Sequence, residues 1–412
     1  MPKGMRDFFP EEMIGRGKLF NAVKRVYEKY GFSPMEYSAL EELKYLEKES
    51  SAEIKEMLFR IEDSDLALRF DLTVPLARTM AENPMIPKPF KRYCIAPVWR
   101  REEPQKGRFR EFWQADIDIV GSTSMACEAE LLACVSEALA ELKIDCEIIV
   151  NNRKILDGLM EKSGISKKIE AIRIIDKKDK IGEKGAMDEL TALIGEGKAK
   201  EILNTLTLTG TNEEKIAKSE KIFKGIKAGE EGINELKALL VLLEEYGVKI
   251  TMDFSLARGL DYYTGTIFEV KMKGNDKSIA GGGRYDSLIG KFGGPEMPAV
   301  GISIGIERIP NVFPKNKTVS EVVVIPIAEN NRKYALSIAK KLRANGINVE
   351  LDVMGRNFKK QLEYANKMGI PFAVIVGDRE EKECKVKLKN LSTSEEKELS
   401  LESCIASFIV PL

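Results

Sequence analysis

The sequence predicts an α+β architecture: an antiparallel sheet flanked by helices, with a helical insertion and a small α/β domain at the C-terminal end. Three patterns point there. Between residues 66 and 120, short runs alternate apolar with polar residues, as strands with one buried face do. From about residue 165 to 232 the chain is rich in Lys and Glu, helical in period and nearly free of aromatics. Beyond residue 320, buried-strand runs alternate with amphipathic helices, which indicates a compact α/β unit.

Residues 19–30 place Leu19, Phe20, Val23, Val26, Tyr27 and Tyr30 at helical spacing, and Gly31 stops the helix. Residues 66–70, 92–100 and 112–120 read as antiparallel strands, 126–142 as a helix and 146–150 as a strand. After the insertion, strands resume at 249–254, 266–272 and 277–281, and residues 301–309 combine strand alternation with the start of a helix. Residues 310–319 have a linker's composition. Then come a buried strand (321–327), a helix (334–345), a strand (348–351), a helix (358–368) and another buried strand (372–377). The expected domains are 1–164 with 233–309, an insertion at 165–232, a linker at 310–320 and a C-terminal domain at 321–412.

The chain has 412 residues, 43% of them hydrophobic, enough for two or three domains with ordinary cores. Lys plus Arg and Asp plus Glu number 65 each, so any nucleic-acid surface must come from local segregation of charge. Six cysteines occur without a C-x-x-C pair and read as reduced, mostly buried thiols. No histidine is present, which excludes Ser-His-Asp and Cys-His catalysis, a histidine general base and His-ligated zinc. The chemistry must run on Arg, carboxylates, Tyr, Lys, backbone groups or a metal held by oxygen. Residues 1–12 lack an apolar signal core and no apolar run approaches transmembrane length, so no membrane association and a cytoplasmic location are expected.

The most informative segment is Trp99-Arg-Arg-Glu-Glu-Pro-Gln-Lys-Gly-Arg-Phe-Arg-Glu-Phe-Trp-Gln114, a strand, a Pro/Gly-bearing loop and a returning strand. Such a hairpin puts Arg100 and Gln114 within reach of one ligand, and arginine forks suit phosphate oxygens. On charge alone it is an exposed basic ribbon; Glu102 among the arginines adds an acceptor for an adenine amino group. Gly281-Gly-Gly-Arg-Tyr-Asp286 alone is as readily a turn as a phosphate loop, Arg258 alone a surface arginine, and Tyr262 and Tyr263 core residues.

Taken together, these segments resemble a known family. The hairpin is similar to the second signature motif of class II aminoacyl-tRNA synthetases, and Pro104-Gln-Lys-Gly-Arg-Phe-Arg110 resembles histidyl-tRNA synthetases in particular. So do Met1-Pro-Lys-Gly-Met-Arg-Asp-Phe-Phe-Pro10 and Leu256-Ala-Arg-Gly-Leu-Asp-Tyr-Tyr-Thr-Gly265, the latter similar to that family's histidine-binding signature. Gly301-Ile-Ser-Ile-Gly-Ile-Glu-Arg308 resembles the third class II motif. Their occurrence in family order spans roughly the whole chain.

The resemblance implies ATP-dependent activation of L-histidine, with Mg²⁺ accompanying ATP, followed by transfer to the 3′ end of tRNA(His). It assigns Arg100 and Arg258 to the α-phosphate, Arg258 also to the substrate carboxylate, Glu102 to the adenine, and Arg108 and Arg308 to the β/γ end. Asp71, Thr73 and Gln114 are expected at the histidine α-amino group, Asp118 and Tyr263 at the imidazole, and Tyr262 among the histidine-binding residues. Gln105 is expected at the tRNA acceptor end, and Arg356, Lys359 and Lys360 on a tRNA-facing helix of the C-terminal domain. The first class II motif, which builds the family's dimer interface, normally carries a proline where Ser38 stands here; a homodimer is expected nonetheless. A regulatory relative without activity would not need Arg100, Glu102, Arg258 and Arg308. The segment from Arg258 to Tyr263 separates the chain from glycine, threonine and proline enzymes.

Overall fold

The computed structural model describes residues 1–48, 52–105, 107–257, 262–274, 278–310, 312–313 and 315–409. They group into two compact units: Met1–Arg6 with Leu19–Val312, and Asp7–Lys18 with Phe313–Leu412.

The first unit starts with the part of α1 (Pro10–Lys29) that follows Lys18, then β1 (Ser33–Pro34), β2 (Leu40–Glu42), α2 (Leu43–Lys48), α3 (Ala52–Glu56) and β3 (Leu66–Leu68). Next come α4 (Thr73–Glu82), β4 (Phe90–Trp99), β5 (Glu111–Val120), α5 (Ala126–Glu141), β6 (Cys146–Asn152) and α6 (Arg153–Lys162). A helical run follows: α7 (Lys168–Asp176), α8 (Lys178–Ile194), α9 (Glu196–Leu206), α10 (Asn212–Ile222) and α11 (Lys227–Glu245). The unit closes with β7 (Ile250–Met252), β8 (Thr266–Met272), β9 (Ser278–Arg284), α12 (Leu288–Lys291) and β10 (Ala299–Gly305).

Among the described residues, eight strands form one sheet in the order β1-β4-β5-β10-β9-β8-β6-β7. It is antiparallel except at its two ends, where β1 pairs with β4 and β7 with β6 in parallel. The alternation seen in the sequence sorts residues onto its two faces. On β5, Trp113, Ala115, Ile117 and Ile119 face α1, where Phe20 stacks on Trp113 with ring centroids 5.1 Å apart. Gln114, Asp116 and Asp118 take the opposite face. Beside them, Leu72, Leu76, Met80, Cys94, Ala96, Tyr285, Leu288 and Ile289 form a buried core under α4 and α12.

Residues 66–70 do form a strand, but only over Leu66–Leu68, and it pairs with β2 in a separate two-stranded sheet. The chain turns away at Asp71, whose carboxylate accepts the Val74 N–H at 3.0 Å and starts α4. Residues 301–309 are a strand followed by a single 3₁₀ turn, Ile306–Arg308. Position 277, expected to begin a strand, lies outside the described residues; β9 is described from Ser278. The helix α11 runs unbroken through residue 232 and crosses α6 closely: a Cβ on Gly158 would sit 2.6 Å from the Gly229 nitrogen.

In the second unit, β11 (Val322–Pro326), α13 (Arg332–Ala344), β12 (Val349–Leu351), α14 (Phe358–Met368) and β13 (Phe372–Val376) match the sequence reading closely. They continue into α15 (Asp378–Lys382), β14 (Lys385–Asn390), β15 (Glu396–Ser400) and α16 (Leu401–Ile409). The sheet order is β12-β11-β13-β14-β15, parallel through the first three strands and antiparallel after them. None of the six cysteines is paired; Cys94, Cys127, Cys134 and Cys404 are buried. No helix among the described residues is long and apolar enough to cross a membrane.

Candidate active site

A cavity of about 410 Å³ opens on the face of the large sheet that carries Gln114, Asp116 and Asp118. Gly281, Gly282, Gly301 and Gly305 are among the residues that line it. Gly301 on β10 lies beside Asp118 on β5, and Gly283 on β9 lies beside Gly301. A Cβ on Gly301 would fall 2.6 Å from the Asp118 Cγ, and one on Gly283 would fall 2.8 Å from the Tyr263 ring. Both positions therefore need glycine because side chains from neighbouring elements fill the space over them.

The cavity's acidic side is deeply buried. Asp71, Asp116 and Asp118 are each less than 5% exposed. Their counter-ion is Arg92 on β4, fully buried, with a guanidinium nitrogen 2.7 Å from Asp118 Oδ2 and another contact to the Leu72 carbonyl at 3.1 Å. Tyr285 donates its hydroxyl to Asp118 Oδ1. Burial pushes Asp71 up to about 6, against the pull of the Val74 N–H and the Arg100 charge. It pushes Asp116 further, to about 7, with Arg92 opposing and the Asp118 charge adding. Asp118 is raised by burial too, with Arg92 and the Tyr285 hydroxyl pulling the other way. Burial disfavours the charge on Arg92, yet Asp118, Tyr37 and Asp116 more than offset it, so this cation is held firmly charged.

The basic side comes from the β4–β5 hairpin and the turn after β10. Arg100 donates from Nε to the Phe70 carbonyl at 3.0 Å, with its guanidinium 5.1 Å from the Phe112 ring centre. Arg108 lies 3.6 Å from the Glu102 carboxylate, and Arg308 donates to the Ser278 carbonyl at 2.6 Å. Glu307 accepts the Trp113 N–H at 2.8 Å, which ties the turn after β10 to the hairpin.

Of the residues singled out in the sequence, Asp71, Thr73, Arg100, Glu102, Arg108, Gln114, Asp118, Tyr262, Tyr263 and Arg308 line this one cavity. Arg258 lies outside the described residues. Gln105 lies in an adjoining groove with Lys55, Arg60, Arg101 and Arg108. Arg356, Lys359 and Lys360 belong to the second unit; Lys359 and Lys360 are exposed, whereas Arg356 pairs with Asp352 at 3.1 Å and covers the Tyr364 ring at 4.3 Å. The sequence reading missed Arg92, Asp116, Ser303 and Asp176, and gave Tyr285 no role. A signal existed for Asp116: it shares the strand period of Gln114 and Asp118. Asp176, at the end of α7, reaches the cavity from the helical run, which local pattern does not reveal.

An antiparallel sheet with a hairpin arginine, a glycine-lined cavity and a second arginine on the turn after β10 is the catalytic architecture of a class II aminoacyl-tRNA synthetase. Comparison with known proteins agrees. The model of the histidyl-tRNA synthetase family matches residues 4–309 and that of the anticodon binding domain residues 321–409. The histidine–tRNA ligase of Cytophaga hutchinsonii is 38% identical, covering 99% of each chain. That of Pyrococcus furiosus is 37% identical, covering 98% of this chain and 97% of the relative. Among solved structures, histidyl-tRNA synthetase from Nostoc sp. PCC 7120 superposes with a TM-score of 0.87 at 32% identity, covering 98% of both chains. An ATP phosphoribosyltransferase regulatory subunit/histidyl-tRNA synthetase from Bacillus halodurans C shares the fold, with a TM-score of 0.77 at 24% identity. The chain belongs to the histidyl-tRNA synthetase family.

Proposed function

We propose that this chain activates L-histidine with ATP, releasing pyrophosphate, and then esterifies histidine to the 3′ end of tRNA(His). The observation that carries this reading is the cavity itself, where Arg100, Arg108 and Arg308 face Asp71, Gln114 and Asp118 across about 410 Å³. One side suits a polyphosphate and the other a cationic amino acid.

Activation needs the histidine carboxylate to attack the α-phosphorus in line. The nucleophile is already an anion, so no general base is required and a chain without histidine is chemically sufficient. The work is positioning and stabilisation of spreading negative charge. Arg100 takes the α-phosphate, its orientation set by the Phe70 carbonyl and the Phe112 ring. Arg258 meets the substrate carboxylate and the α-phosphate from the other side. Glu102 accepts from the adenine amino group, and Arg108 and Arg308 hold the β/γ end. Mg²⁺ enters with ATP, bound to its phosphates.

Asp71, Thr73 and Gln114 gather at the α-amino group. Asp118 accepts from the imidazole N–H, with Tyr262 and Tyr263 closing around the ring. A buried carboxylate reads this ring strongly, because an amino acid without the donor leaves it unpaired.

Gln105, in the groove beside the cavity, contacts the acceptor end of the tRNA. Residues 321–412 form the anticodon-binding domain, with Lys359 and Lys360 toward phosphate and Arg356 contributing through its exposed edge. Residues 165–232 are the insertion, between the catalytic segments 1–164 and 233–309, and residues 310–320 the linker. The working form is a cytoplasmic homodimer. A purely regulatory role would require none of the phosphate-side arginines. Charging of tRNA(His) with labelled histidine in the presence of ATP and Mg²⁺ tests the reading. Stable charging supports it, and failure with folded protein and intact tRNA contradicts it.

A further inference from the structure

Among the buried acceptor oxygens that line the cavity, Asp71 Oδ2, Gln114 Oε1 and Asp116 Oδ1 have neither a hydrogen bond nor an ion pair among the described residues, whereas Asp118 Oδ2 keeps its 2.7 Å contact to Arg92. In each case the rest of the side chain is engaged. Asp71 spends Oδ1 on the Val74 N–H. Gln114 donates its Nε2 to the Ser303 hydroxyl at 2.8 Å, which fixes the amide with its oxygen free. The Ser303 hydroxyl, having accepted from Gln114, donates a hydrogen bond to the Asp116 carboxylate, leaving Oδ1 of Asp116 free.

Buried acceptors left open cost free energy, and three around one cavity call for a ligand with matching donors. A primary ammonium has three N–H donors and a positive charge. That charge also answers an imbalance, since among the described residues the one fully buried arginine beside these three carboxylates, Arg92, is already paired with Asp118, and the partly buried Arg100 acts on Asp71. Thr73 is less free to be the third acceptor, because its hydroxyl is hydrogen-bonded to Tyr262.

We infer that Asp116 is a substrate-binding residue that completes, with Asp71 and Gln114, a three-acceptor seat for the α-ammonium group of the amino acid. The inference rests on the amino-acid reading of this cavity given above. Asp116 thereby contributes to selecting α-amino acids over other imidazole compounds, while Asp118 selects the ring.

The test compares two ligands by calorimetric titration at pH 8: histidine, and 3-(imidazol-4-yl)propionate, which lacks only the amino group. Asp116→Asn keeps the shape and removes the charge; Asp116→Ser, smaller, is measured alongside, with thermal unfolding of both. The variants are expected to bind histidine at least tenfold more weakly and the des-amino analogue within twofold of wild type. Equal losses for both ligands would overturn the assignment, because Asp116 would then act on the ring or on the fold. So would unchanged histidine affinity in a folded variant. Wild-type protein that binds no histidine would overturn the underlying amino-acid reading and this inference together, an outcome distinct from failure of the Asp116 variants alone.

Discussion

The same Asp116 carries a stability cost that the ligand-free protein should reveal. Burial lifts its carboxyl from 3.8 to about 7, against the opposing charge of Arg92. An unfolded chain titrates this group near its ordinary value, about 3.9. The folded form therefore holds the proton more tightly than the unfolded form. Its contribution is most favourable below about pH 4, declines as pH rises, and is fully lost above the folded value. Three pH units at about 1.4 kcal/mol each set a ceiling of about 4 kcal/mol on the cost of charging it. Asn never ionises and still accepts from Ser303. Asp116→Asn should thus match wild type near pH 4 and exceed it in stability by about 2–4 kcal/mol at pH 8. Urea unfolding without ligand, followed through the first unit's transition at several pH values, measures the difference. A variant whose advantage does not grow between pH 5 and pH 8 would refute the reasoning.

Other substitutions separate the two sides of the cavity. Asp118→Asn leaves Arg92 fully buried without its 2.7 Å ion-pair partner. It should cost about 3 kcal/mol of stability and weaken histidine far more than ATP; equal losses for the two ligands, measured by titration, would count against the ring-reading role. Gly301→Ala puts a methyl group 2.6 Å from the Asp118 Cγ, so the KM for histidine should rise at least tenfold with that for ATP nearly unchanged. A parallel rise in both constants would place the damage elsewhere. Arg258→Ala should slow adenylate formation in single-turnover experiments by a hundredfold or more, with histidine affinity much less affected; an unchanged rate would remove the residue from the chemistry.

Much of the fold is legible because the strands at the site have one polar and one apolar face. The alternation of Phe112 to Val120 locates β5, and the same alternation marks its cavity face. Gln114 and Asp118 stand out on that face by resemblance, whereas Asp116 between them belongs to none of the matched positions. Arg92 was unreadable for a different reason. A lone arginine in a strand looks solvent-exposed until tertiary packing closes over it, and its partner Asp118 is 26 positions away in the chain but directly opposite in the β4–β5 register. The brevity of β3 and its separate sheet likewise depend on where the chain turns into α4. In the second unit, lysines and glutamates dominate β14 and β15 and hide the strand signal; β15 lies at the sheet edge, where charged residues are common. The arginines of the hairpin and of the turn after β10 were assigned through the resemblance of their segments to class II motifs, since charge alone marks only an exposed basic ribbon.

The most direct test of the central claim is ATP–pyrophosphate exchange with each amino acid separately, in the presence of Mg²⁺ and without tRNA. The account predicts exchange with histidine and background rates with the others, since histidine alone offers an imidazole N–H to Asp118 together with an α-ammonium and a carboxylate. Exchange driven by another amino acid, or by none in a folded protein that binds ATP, would contradict it.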